Sequence, residues 1–336
     1  MKILSFFTKL LHFFPTEFSH FLALKSLKFL HVSGLLKILL SGQKSSSISQ
    51  EGASIKHLNL ENRLGFAAGL DKNGDYIDCL AGLGVGFIEV GTVTPKPQNG
   101  NPKPRLFRNR KERSLINRLG FNNKGVDHLL ENLKNRKSNV VVGTSIGKNF
   151  DTTNDEAHKD YLFCLEKVYD FSDYIAVNIS SPNTSNLRDL SNASYSRSLL
   201  SKIKSKQDTL SSSMGYKPIF IKLSPDEELN SLRDICHLIL ELKLDGIICS
   251  NTTVDHFDRN GAGGLSGAPL REKSLKNLKH IKNIVGNKIP VIASGGVMSV
   301  EDYQEKIEYG ADLVQVYTGF IYEGPKLIYD LVNSKI

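Results

Sequence analysis

The chain has 336 residues, 43 of them Lys or Arg and 35 Asp or Glu, for a net charge of +8. A (β/α)8 barrel takes ~250 residues, so the length suits one large domain with an appendage as well as it suits two domains. Apolar side chains make up 40%, which excludes disorder and collagen, and four scattered Cys without a C-x-x-C pair exclude a disulfide scaffold and a Cys-rich zinc site.

The charge is uneven. Residues 1–50 hold six Lys and one acid, whereas the rest of the chain holds 37 basic and 34 acidic residues. A near-neutral body argues against a nucleic-acid groove. Seven of the 17 Phe fall in the first thirty residues. Ile3, Phe6, Phe7, Leu10, Phe13 and Phe14 recur at spacings of three and four, one face of a helix. Pro15 breaks it, and Phe18, Phe21, Leu22, Lys25 and Phe29 begin a second. The longest charge-free stretch here is eight residues, Phe29 to Leu36, too short for a spanning helix. Two readings stay open: a hairpin packed on its own domain, or an interfacial element lying on an anionic bilayer. Residues 44–49, Lys-Ser-Ser-Ser-Ile-Ser, read as a linker, giving an N-terminal element at 1–44 and a body at 45–336.

The body alternates strand and helix. Short apolar runs recur at Leu64–Ala68, Phe87–Gly91, Val140–Ser145, Tyr174–Asn178, Ile219–Leu223, Gly246–Cys249, Pro290–Ala293 and Leu313–Val316. Helical patterns lie between most of them, such as Glu156–Val168, Glu228–Leu242 and Leu270–Val285. Eight such units predict an α/β fold, a (β/α)8 TIM barrel, with a doubly wound sheet as the alternative. Polar and Gly-rich residues cluster after the strands, at the end where barrel active sites form.

Taken in order, Ala67 to Gly74 follows the first strand with small residues that admit a flat ligand and a Lys72 that can meet an anion. Asn117 to Asn123, Asn178 to Thr184 and Ser250 to Thr253 carry Asn in three loops, which suits a planar ring with amide edges; each alone is also an ordinary loop or cap sequence. Lys222 sits inside an apolar strand, where its charge needs an anion or an electron-rich partner. It can stabilise negative charge on a flavin or form a Schiff base. Gly263 to Gly267 reads as a flexible loop. Ser294-Gly295-Gly296 and Tyr317-Thr318-Gly319, after strands seven and eight, predict a phosphate site with a short helix. The His residues form no H-x-x-x-H or H-E-x-x-H pair, so no metal is expected.

Together with Gly91 to Pro95, Pro104 to Arg108 and Ile116 to Gly125, these motifs resemble, in order and spacing, the dihydroorotate dehydrogenase family over about residues 55–330. The resemblance implies an FMN-containing barrel, one FMN per chain at its C-terminal face, that oxidises dihydroorotate to orotate in pyrimidine biosynthesis. In the soluble class the catalytic base is a Cys in an N-x-x-C-P-N loop; that position is Ser181 here. Ser and an N-terminal helical pair mark the quinone-linked class 2, which implies a membrane quinone as acceptor, an anionic membrane surface as partner, a peripheral place on the cytoplasmic side of the cell membrane, and no protein partner. By resemblance FMN lies against Ala68, Gly69, Leu70, Asp71, Lys72, Thr92, Ser145, Asn178, Lys222, Ser250, Gly267, Gly296, Tyr317 and Thr318. Orotate lies against Lys72, Asn117, Arg118, Leu119, Gly120, Phe121, Asn178, Asn183, Asn251 and Thr252. His20, Arg108 and Tyr317 match the quinone route. Two departures stand out: Ser145 replaces the Asn of the family's G-x-N-x-G-K-N motif, and Phe14 precedes Pro15 where the family has Asp. The rival readings are a soluble FMN barrel using fumarate, a Schiff-base lyase built on Lys222, and a membrane-associated binding barrel without catalysis.

Overall fold

The computed structural model describes residues 2–41, 52–183, 193–256 and 261–334. The linker expected at 44–49 and the Thr184 end of the fourth loop lie outside the described residues. In chain order the strands are β1 (Ala53–Ile55), β2 (Leu58–Leu60), β3 (Leu64–Phe66), β4 (Phe87–Val93), β5 (Leu106–Asn109), β6 (Ser114–Asn117), β7 (Val141–Ile146), β8 (Tyr174–Asn178), β9 (Ile219–Leu223), β10 (Gly246–Cys249), β11 (Gly264–Gly267), β12 (Val291–Ser294) and β13 (Leu313–Val316). Eight of them close a parallel barrel in the order β3-β4-β7-β8-β9-β10-β12-β13, β13 returning to β3. Closure replaces the doubly wound alternative. These eight are the apolar runs of the sequence, and all eight are buried along their whole length because helices cover the outside while the lumen is filled.

Side chains alternate along each strand, and the parity sorts the lumen into layers. At the N-terminal end Phe87, Tyr174 and Phe220 pack edge to face, with ring centroids 6.4 and 5.4 Å apart. Glycines on neighbouring strands make room for them: a Cβ on Gly143 would meet the Tyr174 ring at 2.0 Å, and one on Gly246 the Phe220 ring at 2.4 Å. The β1–β2 hairpin adds Ala53, Leu58 and Leu60 to this layer and shuts the bottom of the barrel. Two residues further along the strands come Glu89, Lys222 and Gln315, and two further again Gly91, Asn178 and Tyr317. The barrel is therefore apolar at its base and polar at its mouth.

Two features were not expected from the sequence: the β1–β2 hairpin, and a three-stranded antiparallel sheet, β5-β6-β11, across the mouth. Gly263 to Gly267, read as a flexible loop, is mostly strand β11, paired with Ser114–Asn117. Glycine is needed there because Gly267 adopts φ +96° and a Cβ would meet the Arg113 carbonyl at 2.3 Å.

The N-terminus forms α1 (Lys2–Leu11), α2 (Thr16–Val32) and α3 (Leu35–Ser41). Pro15 caps α2 with φ −51°, as its fixed ring favours, and the Ser19 hydroxyl donates to the Leu11 carbonyl at 2.6 Å, tying the two helices. The reading of a hairpin packed on its own domain holds in part. Leu24, Leu27 and Leu36 join the barrel's outer core, and Arg105 clamps Glu17 through Nε at 3.2 Å and Nη2 at 2.8 Å. Yet all seven Phe of the first thirty residues are exposed. The apolar stripe of α1 faces away from the protein.

Candidate active site

A cleft opens at the C-terminal end of the barrel. Its wall is built from the ends of β3, β4, β6, β8, β9, β10, β12 and β13 and the loops that follow them. Of the expected residues, the wall contains Ala68, Gly69, Lys72, Thr92, Asn117, Leu119, Gly120, Phe121, Asn178, Ser181, Asn183, Lys222, Ser250, Asn251, Thr252, Gly267, Gly296, Tyr317 and Thr318.

The deepest group is Lys222. Its ammonium donates to Glu89 Oε1 at 3.2 Å, and both side chains are buried. Glu89 Oε2 accepts from Gln315 Nε2 at 2.7 Å and from the Tyr174 hydroxyl at 3.2 Å. The anion that a lumenal lysine requires is thus partly supplied by the protein. Above it, Asn178 Nδ2 donates to Thr92 Oγ1 at 2.9 Å, and Asn251 Nδ2 donates to Asn178 Oδ1 at 3.3 Å and Ser180 Oγ at 3.2 Å. Asn183 Nδ2 donates to Asn117 Oδ1 at 2.8 Å. The three Asn-bearing loops, distant in sequence, meet as one hydrogen-bonded group.

Ser181 lies among them, 6% exposed, its hydroxyl oxygen accepting from the Asn183 N–H at 3.3 Å. Lys72 donates to the Gly69 carbonyl at 3.0 Å. Burial, reinforced by the Arg105 charge, pushes its ammonium down to about 8. Among the described residues the wall contains no carboxylate and no imidazole, and its charged side chains are Lys72 and Lys222. That electrostatic bias selects anions.

Four expected contacts do not reach the wall. Leu70 is buried in the outer core. Asp71 turns its carboxylate to its own loop, accepting from the N–H groups of Asn73, Asp75 and Tyr76 at 3.3, 3.0 and 2.7 Å; burial pushes it up to about 6, against those bonds. Ser145 is one layer out, sharing a hydrogen bond of 2.9 Å with Thr92 Oγ1, so the shorter side chain acts on the cleft through Thr92. Arg118 lies over the Phe107 ring at 4.7 Å. Neighbouring residues of a contiguous motif face different ways, which leaves these four outside the cleft wall.

The cleft has the properties of a cradle for a flat polar ligand with an anionic tail. Ser250 Oγ and Gln315 Oε1 are buried with no hydrogen-bond partner among the described residues, which is costly unless a ligand completes them. Gly69, Gly295 and Gly296 have φ of +98°, +99° and +78°. A Cβ on Gly296 would meet Arg271 Cα at 2.3 Å, so backbone alone fits there and its N–H groups can approach an anion. Gln315 and Glu89 escaped sequence reading, although each is a polar residue inside an apolar strand, the same signal that drew attention to Lys222.

Of the three residues expected near a second ligand, His20 and Arg108 lie between the N-terminal helices and the barrel. His20 hydrogen-bonds the Leu70 backbone, and burial together with the Lys72 charge pushes its imidazole down to about 4. Arg108 Nη1 donates to the His12 carbonyl at 3.0 Å. Tyr317 belongs to the cleft wall, where burial pushes its phenol up to about 12. No described helix is long and apolar enough to cross a membrane.

Comparison with known proteins gives a consistent result. The sequence profile described as dihydroorotate dehydrogenase matches residues 52–334. A protein of Methylobacillus flagellatus named dihydroorotate dehydrogenase (quinone) is 47% identical over 325 residues, 95% of each chain. One of the same name from Buchnera aphidicola is 45% identical over 333 residues, 97% of this chain and 98% of its own. Among solved structures, the ligand-free DHODH of Eimeria tenella superposes with a TM-score of 0.82 at 34% identity, covering 93% of this chain and 92% of that one. The same protein in complex with ferulenol gives 0.81, covering 90% and 89%.

Proposed function

The chain belongs to the dihydroorotate dehydrogenase family, and from that premise we propose that it oxidises dihydroorotate to orotate in pyrimidine biosynthesis, with FMN as hydride acceptor and a quinone as the final one. The observation that carries this reading is the cleft itself: two lysines, a ring of asparagines and the buried Ser181, with no acid or imidazole in the wall among the described residues.

FMN, when bound, supplies a two-electron acceptor at its N5. The chain does the rest. Gly295, Gly296 and Thr318 would hold the phosphate through backbone and hydroxyl groups, and Ala68, Gly69, Thr92, Asn178, Ser250 and Lys222 would bracket the ring. Lys72 would pair with the substrate carboxylate. Asn117, Asn178, Asn183 and Asn251 fix the pyrimidine so that C6 faces the acceptor. Ser181 takes the proton from C5 and must hand it onward, since a hydroxyl is a weak base. An ion-paired Lys222 is a poor Schiff-base nucleophile, which favours this reading over the lyase. The test is a visible spectrum of the purified protein: flavin bands that bleach on adding dihydroorotate and recover with a quinone, but not with fumarate, support it. A colourless protein, or recovery with fumarate alone, would overturn it.

A pH dependence follows from Lys72. A bound carboxylate favours the charged ammonium, whose pKa in the free protein is lowered to about 8. Affinity should therefore be full below about pH 8 and fall as pH rises through it, approaching about tenfold per unit. KM for dihydroorotate measured from pH 6.5 to 10 checks this; a flat profile means that Lys72 does not meet the carboxylate.

Residues 1–44 are the access element and residues 45–336 the catalytic domain in this reading, with the protein peripheral on the cytoplasmic side of the cell membrane. Support comes from Phe6, Phe7, Leu10, Phe13 and Phe14, exposed together beside a Lys-rich sequence. Replacing Phe6, Phe7, Phe13 and Phe14 by Ser leaves the packed face intact. Each immersed Phe contributes roughly 1.5–3 kcal/mol at most, so vesicle affinity should fall by more than about tenfold. Re-oxidation by a long-chain quinone in vesicles should slow with it, while bleaching by dihydroorotate is unchanged. Unaltered vesicle binding would leave the exposed face without this role.

A further inference from the structure

Lys306 is as deeply buried as Lys222, 1% exposed, but no carboxylate lies within 4 Å of it among the described residues. It sits on the helix Val300–Glu308, behind the Gly295-Gly296 turn. Its ammonium donates to Ser274 Oγ at 2.5 Å, and that hydroxyl lies 2.9 Å from the Gly295 carbonyl and 3.0 Å from that of Arg271. The ammonium is thus one hydroxyl away from the turn whose two left-handed glycines line the cleft. The neighbouring carboxylates compensate it only in part. Asp302 and Glu305 are both engaged by Arg271, at 2.5 and 2.6 Å. The Cys249 thiol beside it is pushed up to about 12 by burial and stays neutral. Burial also pushes the Lys306 ammonium down, to about 8, which still leaves it charged at neutral pH. A buried cation without an anion is costly, and the nearest place for one is the cleft side of the Gly295-Gly296 turn.

We propose that Lys306 is a positioning residue for the cofactor phosphate: an ammonium behind the glycine turn that offsets the phosphate charge from the protein side and fixes the Gly295 carbonyl through Ser274. Lys306 does not line the cleft, so it acts through the turn and the field, not by contact. Its effect is specific to the phosphorylated cofactor. The inference rests on FMN being the ligand of the cleft.

The test compares FMN with riboflavin, which shares the ring but lacks the phosphate. Full-length wild type, Lys306→Gln and Lys306→Met are loaded with each flavin in excess, and release is followed by free-flavin fluorescence. Gln keeps a donor for Ser274; Met keeps the bulk. Both variants should release FMN about tenfold faster than wild type or more, equivalent to about 1.4 kcal/mol, with riboflavin release unchanged. Lys306→Arg, which keeps the charge, should restore most of the FMN retention. Equal acceleration for FMN and riboflavin would make Lys306 a packing element and overturn the proposal. So would a Lys306→Gln protein that holds FMN like wild type, since the hydrogen bond rather than the charge would then suffice. Failure of Lys306→Gln to fold with either flavin has the same meaning, because the loss would not depend on phosphate. A wild type that retains neither flavin refutes the proposed function itself, before Lys306 is in question.

Discussion

Replacing Ser181 by Ala should lower the rate of flavin bleaching by dihydroorotate roughly 10²–10⁴-fold, the usual worth of a positioned base, while flavin content and orotate affinity stay near wild type. The hydroxyl is lost with the 3.3 Å bond it accepts from the Asn183 N–H, while the Asn117–Asn183 side-chain pair, joined at 2.8 Å, remains. Among the described residues the wall has no carboxylate or imidazole to substitute. Rapid mixing of oxidised protein with saturating dihydroorotate reads the step directly. Bleaching at the wild-type rate would assign the proton transfer to another group.

Lys222→Ala should be the most destabilising single change in the cleft. It strands Glu89, fully buried, with only the neutral partners Tyr174 and Gln315. Breaking a buried pair from one side costs about 3–5 kcal/mol. The variant should melt at lower temperature and purify with little flavin. The double replacement Lys222→Met, Glu89→Leu removes both charges and should recover most of the thermal stability without recovering flavin reduction. Thermal melts and flavin-to-protein ratios on the single and double variants separate the two roles. A single variant as stable and as yellow as wild type would place Lys222 outside both.

The barrel was legible in the sequence because parallel strands buried on both sides read as short apolar runs with little interruption, and all eight appear within two residues of their expected bounds. The same signal exposed Lys222, a charge inside such a run. Closure was not legible, since periodicity describes each strand and not its neighbour. Strands β5, β6 and β11 were missed because they are short, half exposed or Gly-rich, and antiparallel pairing across the mouth leaves no alternation to detect. The expected site residues were read in blocks, and a block takes in neighbours outside the cleft wall, as with Leu70, Asp71, Ser145 and Arg118. For α1 the pattern gave the stripe but not its direction. A helix with one apolar face is ordinarily read as docked by that face, and only the packing of Leu24, Leu27 and Leu36 through the neighbouring helices shows that the stripe is left over.

The plug of Phe87, Tyr174 and Phe220 bears on the ion pair above it as insulation. Water reaching the base of the lumen would raise the local dielectric and weaken the Glu89–Lys222 attraction severalfold. Tyr174 serves both layers, its ring in the plug and its hydroxyl on Glu89. The glycines opposite the rings are therefore part of the electrical design of the site, although each is far from any ligand. A methyl group at Gly143 would press on the Tyr174 ring, tilt its hydroxyl off Glu89 and loosen the seal in one movement. Changes that tune the electron acceptor can thus arise at the closed end of the barrel, on the side no substrate visits.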